Sequence, residues 1–315
     1  MRAAAVVVNF NGGADLPRCL AALAAQTVAV EVVLVDCAST DGSRALAETP
    51  PRGVRGVALA DNEGYAGGCG AGLAVVAGDV DVIGFFNPDC FPEPEFFARC
   101  LAVLSGDPAI GGVAPRLLRP GGDTLDSCGQ VLTPVLLRVR DRGYGRPAAG
   151  AYLAAADVLA ACGAAMVYRR AALLAAAVGG AVFPAEFFAF WEDVDLGWRV
   201  VNAGWRVRYE PAAVAVHRRG ATAGPGRGWL TLRREPHVAA CILVNRWATL
   251  LRNLHRVDFL LRLPVLLPAD AAMVALVVAL RPRALPALLR ELPRLRLAWR
   301  QRRRPGRRRR LAELP

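Results

Sequence analysis

A chain of 315 residues is long enough for one large domain or two modest ones. Its net charge of +12 suggests a polyanion binder until it is located: every basic side chain is arginine, and residues 281–315 hold 13 of the 39 against two glutamates, leaving the rest at +1. A balanced body with a cationic tail argues against nucleic-acid recognition by a folded basic face, and eight cysteines without a C-x-x-C pair argue for reduced thiols in a cytosolic compartment rather than a disulfide framework or zinc site.

Residues 3–8 form an apolar run too short for a signal peptide, which reads as a buried strand closed by the turn Asn9-Phe10-Asn11-Gly12. Leu16, Cys19, Leu20 and Leu23 share one face of a helix expected over residues 15–26. Residues 31–35 read as a second strand ending at Asp36, before the cap-rich run Ser39-Thr40-Asp41-Gly42-Ser43. A weaker third strand over 56–59 leads into a small-residue loop at 62–68, with helix-compatible sequence from 73 to 77. A fourth strand, 82–86, stops at Asn87-Pro88-Asp89, where Pro88 ends the apolar run. This alternation predicts a mostly parallel sheet covered on both faces. Polar residues gather at its strand ends: Asn9 and Asn11, Asp36, Asn62, then Asn87 and Asp89. Ligands bind such folds outside the carboxyl ends of strands, so four clusters together suggest a nucleotide crevice, with Asp89 a candidate for metal or phosphate contact. A polar loop accounts for any one cluster alone.

Residues 110–118 and 124–137 read as irregular strands of an inserted or antiparallel section, and 158–167 as another buried stretch. Then comes Phe187-Phe188-Ala189-Phe190-Trp191-Glu192-Asp193-Val194-Asp195-Leu196-Gly197-Trp198-Arg199. On a helix Asp193 and Asp195 lie about 200° apart and serve different points. Asp195 precedes Arg199 by four residues, the spacing of an ion pair. Asp193 precedes Gly197, which leaves space beside it, and sits in the first turn where backbone N–H groups stabilise a carboxylate. Asp193 is therefore the better candidate for chemistry. Trp191 could serve the core or a ligand, and His217, at the end of a strand resumed after Pro211, has the local pattern of a surface residue.

Several of these blocks fall in a familiar order. Val7-Val8-Asn9-Phe10-Asn11-Gly12, Val35-Asp36 with Ser39-Thr40-Asp41-Gly42-Ser43, and Asn62-Glu63-Gly64-Tyr65-Ala66-Gly67-Gly68 are followed by Asn87-Pro88-Asp89, Gly163-Ala164-Ala165-Met166 and Trp191-Glu192-Asp193-Val194-Asp195. The ordered set, over residues 1 to about 220, resembles the family 2 inverting glycosyltransferases, and Asn87-Pro88-Asp89 is like the branch that uses rhamnosyl or related deoxyhexosyl donors. The resemblance implies an α/β GT-A fold, a nucleotide-diphospho-sugar donor with dTDP-rhamnose favoured, and Mg²⁺ or Mn²⁺. It implies donor contacts for Asn9, Asn11, Asp36, Asp41, Asn62, Gly64, Gly67 and Asn87, metal contacts for Asp89 and His217, and Asp193 as catalytic base. Trp191 and Glu192 become acceptor-side candidates. Cys37 stands where the family usually has Asn, Gly70 where a second Asn often follows, and Asn87 removes one carboxylate from the more common Asp-x-Asp.

After this region a Gly/Pro-rich linker at 224–228 leads into helical sequence. Residues 259–280 are apolar but contain Arg262, Pro264, Pro268 and Asp270, and the clean run 271–280 is about half the roughly 20 residues a bilayer requires. A core or interfacial helix is expected rather than a transmembrane one. Leucines, Trp299 and arginines between 285 and 300 suit an amphipathic segment on an anionic leaflet, with Arg307–Arg310 its extension or a solvated run. The organisation expected is a transferase domain over 1–220, a linker and helical extension over 221–280, and an amphipathic or disordered arginine-rich tail over 281–315. Its function would be sugar transfer to a glycan or lipid-linked acceptor in cell-envelope polysaccharide synthesis, in the cytoplasm on the inner face of the plasma membrane. Two other classes fit parts of the pattern: a catalytically inactive nucleotide-sugar-binding scaffold, and a nucleic-acid binder using the arginine tail. A nucleotidyltransferase would share fold and metal but release pyrophosphate.

Overall fold

The computed structural model describes residues 1–184, 186–219, 235–302 and 308–315; the linker at 224–228 and Arg307 lie outside them. Twelve strands are described: β1 (Ala3–Asn9), β2 (Val30–Asp36), β3 (Val54–Ala58), β4 (Val82–Phe86), β5 (Cys90–Pro92), β6 (Ile110–Leu118), β7 (Leu125–Ser127), β8 (Gln130–Leu132), β9 (Val139–Asp141), β10 (Ala156–Val158), β11 (Ala165–Arg169) and β12 (Arg206–His217). The main sheet runs β10-β12-β6-β11-β4-β1-β2-β3, with β5 on β12 and β7 on β6, while β8 and β9 form a separate hairpin. Strands β3, β2, β1 and β4 are parallel, as their apolar runs predict. The other half is mixed: β11 is antiparallel to β4 and β6, and β6 is parallel to β12.

Between β2 and β4 the chain order reverses around β1, so the ends of β1 and β4, at Asn9 and beside Asn87, flank a topological switch point. Every residue of β1 is buried. Ala5 and Val7 pack with Leu16, Cys19 and Leu20 of α1 (Asp15–Ala24) and with Phe96 and Phe97 of α4 (Phe96–Gly106). Val6 and Val8 pack on the opposite face with Ala66 and Cys69 of α3 (Gly64–Val75). Between these helices lies the short α2 (Ala45–Glu48).

Helix α3 corrects the sequence expectation of a loop at 62–68 and helix only from 73. Gly68 and Gly72, one turn apart, let the helix backbone rest on β1: a Cβ would stand 2.4 Å from Val8 Cγ1 at the first and 2.2 Å from Val6 Cγ1 at the second. Burial against the sheet outweighs glycine's cost of roughly 1 kcal/mol per helical position.

Helices α5 (Arg170–Ala175) and α6 (Glu192–Asn202) follow β11. Among the described residues the C-terminal region has four α-helices: α7 (Pro236–Asn253), α8 (Arg256–Leu280), α9 (Ala284–Glu291) and α10 (Pro293–Gln301). Helix α7 packs on α6, and α9 and α10 pack on α7. The segment expected as a possibly disordered tail is thus helical over α9 and α10. Arg308, Arg309 and Arg310 fold back on the body instead of forming a free solvated run: Arg308 donates to the Arg252 carbonyl, the Arg309 N–H to Asn202, and Arg310 pairs with Asp258.

Nor is 259–280 a core helix. It belongs to one continuous 25-residue helix, α8, which passes through Pro264 and Pro268 and buries only Asp258, Leu266, Asp270 and Val277. An 18-residue window within it has a mean hydropathy of 2.2, so by length and composition alone the helix could cross a membrane. Leu260 and Leu261 are 65% and 67% exposed, while Asp258 and Asp270 are tied to Arg310 and Arg246.

The α3 contact makes a direct prediction. Gly72→Val is expected to lower the unfolding free energy by about 1–3 kcal/mol through overpacking, whereas Gly70→Ala, where a Cβ meets nothing within 4 Å, should be neutral or stabilising. Equal effects at both positions in urea titrations would contradict the packing account.

Candidate active site

The switch point is lined by a buried polar network. Asn9 donates to Asp36 (2.7 Å), Ser39 (3.1 Å) and Ser43 (2.8 Å), and its Oδ1 accepts from Gly12 N–H. Asp36 is fully buried and also accepts from Ser39 N–H. The sequence reading gave both residues direct donor contacts; with their polar atoms committed inside the protein, they shape the loop that carries the exposed residues. Asn11 takes a left-handed conformation and accepts from Thr40 N–H. Asp41 is exposed, accepts from Gly13 N–H and is held below the usual carboxylate range by the Ser43 hydroxyl.

Across the crevice, Asn62 accepts from Gly64 N–H. Gly64 has φ +70 and lies so close to the Phe188 carbonyl that a Cβ would sit 2.0 Å from its oxygen, which docks this turn on the segment before α6. Gly67 lies inside α3 rather than in a loop, with Glu63 where a Cβ would be.

Phe86 packs on Phe96 and Phe97 at the end of β4, and the turn that follows presents Asn87 and Asp89. His217 Nε2 lies 3.4 Å from Asp89 Oδ1, and its Nδ1 lies 2.8 Å from Asp126 Oδ2. His217 is 5% exposed, which corrects the surface reading from Arg218 and Arg219 beside it. Arg219 is buried as well and pairs with Asp126 and Asp141. Burial opposes charge on His217, but its hydrogen bonds to Asp126 and Asp89 outweigh that and raise its pKa. Burial likewise opposes charge on Asp126, and His217 with Arg219 hold it below the usual range.

This donor set fits a divalent cation. Oxygen and imidazole nitrogen are suitable ligands, their 3.4 Å separation is one that two neighbouring ligands of a single ion can adopt, and a carboxylate behind the imidazole is the usual orienting partner of a metal-binding histidine. Asn87, in the same turn, has no side-chain hydrogen bond among the described residues.

Strand β11 starts beside this turn. Asn87 N–H donates to the Ala164 carbonyl, and the neighbouring Gly163 N–H donates to Asp193 Oδ2 at 2.8 Å. Gln130 also donates to that oxygen at 2.8 Å, and Val194 N–H to Oδ1. Asp193 is thus fixed by three donors, one of which, Gly163, is adjacent in the chain to the Ala164 that pairs with Asn87. Burial pushes its carboxyl above the usual range despite these hydrogen bonds. Burial, and then the Asp193 charge, push Glu192 well above it. Trp191, Glu192 and Asp193 line a cavity of about 1220 Å³.

The space expected beside Gly197 is filled: a Cβ there would stand 2.3 Å from Ala160 Cβ, so Gly197 serves packing on Leu159 and Ala160. Asp195 pairs with Arg199 at 2.7 Å, as its spacing predicts, and also with Arg252 and Asn253 of α7. The helix entry is unusual. Phe190 and Trp191 both have positive φ, and Asn245 of α7 donates to the carbonyls of Ala189 and Phe190. Two bulky residues in this region cost of order 1–3 kcal/mol each and persist only where the surroundings determine them.

Sequence reasoning missed Asp126, Gln130, Asn245 and Arg252. Asp126 and Gln130 lie in the segment read as irregular strands, where a carboxylate between Leu125 and Ser127 in so short an apolar stretch was the available signal. Arg252, an arginine directly after two leucines, was another.

Comparison with known proteins follows this geometry. The family model described as Glycosyl transferase family 2 matches residues 4–173. An N-acetylglucosaminyl-diphospho-decaprenol L-rhamnosyltransferase of Mycobacterium tuberculosis is 31% identical over 241 residues, covering 70% of this chain and 76% of that protein. Among solved structures, GalNAc-T7 with UDP, GalNAc and Mn²⁺ matches with a TM-score of 0.59 at 13% identity, over 81% of this chain and 48% of that one. A mannosyltransferase from Pyrobaculum calidifontis in complex with GDP-Man and Mn²⁺ matches with a TM-score of 0.50 at 21% identity, over 94% and 78%. The chain spans about half the length of GalNAc-T7, and at these identities the likeness is one of fold.

Replacing Arg252 by Met removes one partner of a fully buried carboxylate, so the protein should lose about 3 kcal/mol of stability in urea unfolding. The loss should shrink when Asp195→Asn is added. Independent, additive effects would show that the two side chains are not coupled.

Proposed function

The chain belongs to glycosyl transferase family 2 and is a rhamnosyltransferase-like glycosyltransferase of the GT-A fold, and from that premise we propose that it moves rhamnose or a related deoxyhexose from a nucleotide-diphosphate donor, dTDP-rhamnose favoured, to a hydroxyl of a lipid-linked acceptor with inversion. The observation that carries the reading is the Asp193 carboxylate, held by Gly163, Gln130 and Val194 between the Asn87–Asp89 turn and the cavity. The relative from Mycobacterium tuberculosis, a rhamnosyltransferase by name, acts on a diphospho-decaprenol-linked sugar, and this supports the choice of donor sugar and acceptor.

The chemistry is a single displacement. The acceptor oxygen forms a bond to the anomeric carbon while the bond from that carbon to the donor's diphosphate oxygen breaks. The hydroxyl proton passes to Asp193, and the nucleoside diphosphate leaves. Attack opposite the leaving group inverts the centre, and one positioned carboxylate suffices. Asp195 and Glu192 are not equivalent alternatives: Asp195 is enclosed by arginines, while burial, and then the Asp193 charge, push the Glu192 carboxyl well above the usual range. Asp89 and His217 would hold Mg²⁺ or Mn²⁺, with Asp126 orienting the imidazole. The bound ion supplies charge neutralisation at the leaving diphosphate.

The exposed leucines of α8, together with Leu285, Leu289 and Trp299 on the two following helices, support peripheral attachment to the cytoplasmic leaflet of the plasma membrane. The ion pairs Asp258–Arg310 and Asp270–Arg246 favour α8 lying against the protein with its outer face in the lipid.

Asp193→Asn is expected to lower sugar transfer by about 10²–10⁴-fold while leaving donor binding intact. Since only the ionised carboxylate accepts the proton and burial raises its pKa, wild-type kcat should rise with pH through an acid limb placed above that of an ordinary aspartate. Normal turnover in the variant would remove Asp193 from the mechanism. For attachment, replacing Leu260, Leu261 and Leu267 with Gln should reduce sedimentation with phosphatidylglycerol vesicles several-fold; unchanged sedimentation would refute a role for this face.

A further inference from the structure

The cavity at Asp193 has a second wall that the transfer chemistry does not use. Gln130, which holds Asp193, is paired with Asp141 across the β8–β9 hairpin. Strand β9 therefore runs one strand spacing, about 5 Å, from the residue that positions the base. Because side chains alternate along a strand, Arg138, Arg140 and Arg142 share the face opposite Val139 and Asp141. All three line the cavity.

Among the described residues none of these arginines forms an ion pair. Arg138 and Arg140 are exposed, and Arg142 lies over the rings of Tyr152 and Tyr209, at 5.2 and 5.3 Å, with a buried Nη1 that has no hydrogen-bond partner. The facing wall belongs to the C-terminal helices and is mostly apolar: Ile242 and Leu243 from α7 and Met273 from α8. Its one arginine, Arg246, is already paired with Asp270 at 3.1 Å. The cavity thus offers two exposed guanidinium groups, Arg138 and Arg140, with the stacked Arg142 beside them on one side, hydrocarbon on the other and Asp193 at one end. None of Asp36, Asp41, Asn62, Asn87 or Asp89 lines it, so it lies apart from the donor crevice.

We infer that this cavity binds the diphosphate of a lipid-linked acceptor, with Arg138, Arg140 and Arg142 on the phosphate oxygens and Ile242, Leu243 and Met273 against the first units of the lipid chain. The inference rests on the lipid-linked acceptor proposed above and gives that acceptor its anchoring site. A diphosphate is the anion that suits the wall: several oxygens can take the planar forks of adjacent arginines, and hydrogen bonds between two charged groups are about twice as strong as neutral ones. A sugar attached to that diphosphate would reach from β9 towards Asp193. The α8 helix, whose inner face lines the cavity and whose outer face is exposed leucine, would place the lipid chain beside the membrane surface.

The test needs no turnover. Dodecyl diphosphate is titrated into the full chain and followed by tryptophan fluorescence, since Trp191 lines the cavity. With Arg138→Ala/Arg140→Ala, two exposed positions, the dissociation constant should rise by about tenfold or more, while that of dTDP stays within about twofold. An unchanged constant for dodecyl diphosphate would overturn the inference, as would an equal loss of dTDP affinity, which would assign the arginines to the donor. If wild-type protein binds dodecyl diphosphate through these arginines yet turns over no nucleotide-sugar, the transfer reading fails and the lipid-diphosphate site stands.

Discussion

A fully buried aspartate governs how this molecule is put together. Asp195 receives Arg199 from its own helix and Arg252 with Asn253 from α7, all nearly or completely buried. Taking such charges out of water costs several kcal/mol per ion, which is recovered only when every partner is present with good geometry. The cluster therefore fixes α6 against the C-terminal helices as one unit. Two residues earlier on the same helix, Asp193 meets the opposite environment: no cation touches it, and its three hydrogen bonds come from neutral donors. Arginines hold Asp195 below the usual carboxylate range, and burial lifts Asp193 above it. One turn of helix thus presents a structural anion and the carboxylate proposed as the base, kept separate by their positions around the axis.

The antiparallel pairing of β11 with β4 is what brings the two sides of the site together. It places the Ala164 carbonyl on Asn87 N–H, and the preceding residue, Gly163, donates its N–H to Asp193. The Tyr65 hydroxyl, from the first turn of α3, donates to the Gly163 carbonyl and so grips the same residue from its other side. Residues from the first and second thirds of the chain therefore meet at Gly163, and a shift there reaches Asp193 through a single hydrogen bond.

Much of this was legible in the sequence where the signal is local. Unbroken apolar runs identified β1, β2 and β4, because strands buried on both faces have no polar alternation to show. Helical spacing separated Asp193 from Asp195 and matched the latter with Arg199. What escaped depends on partners far along the chain. His217 looked exposed because Asp126, which makes its burial tolerable, lies 91 residues away. Glycines suggested a loop at 62–68 because nothing local reveals that α3 rests on Val6 and Val8. The length of α8 was missed because Pro264 and Pro268 suggested breaks. Both prolines are exposed and spaced one turn apart, so the carbonyls they leave without helical donors lie on one side of a helix that can bend there.

The Asp195–Arg252 contact also has a consequence in time. The two residues are 57 positions apart, so at synthesis rates of about 5–20 residues per second Arg252 is made roughly 3–11 seconds after Asp195. Until it emerges, the helix that carries Asp193 has a carboxylate destined for the interior and one arginine to neutralise it. The catalytic half of the chain is therefore translated before it can be finished. Its last step of assembly waits on α7, and a ribosome that stalls in between leaves a nascent chain with its sheet encoded and its active site still unlocked.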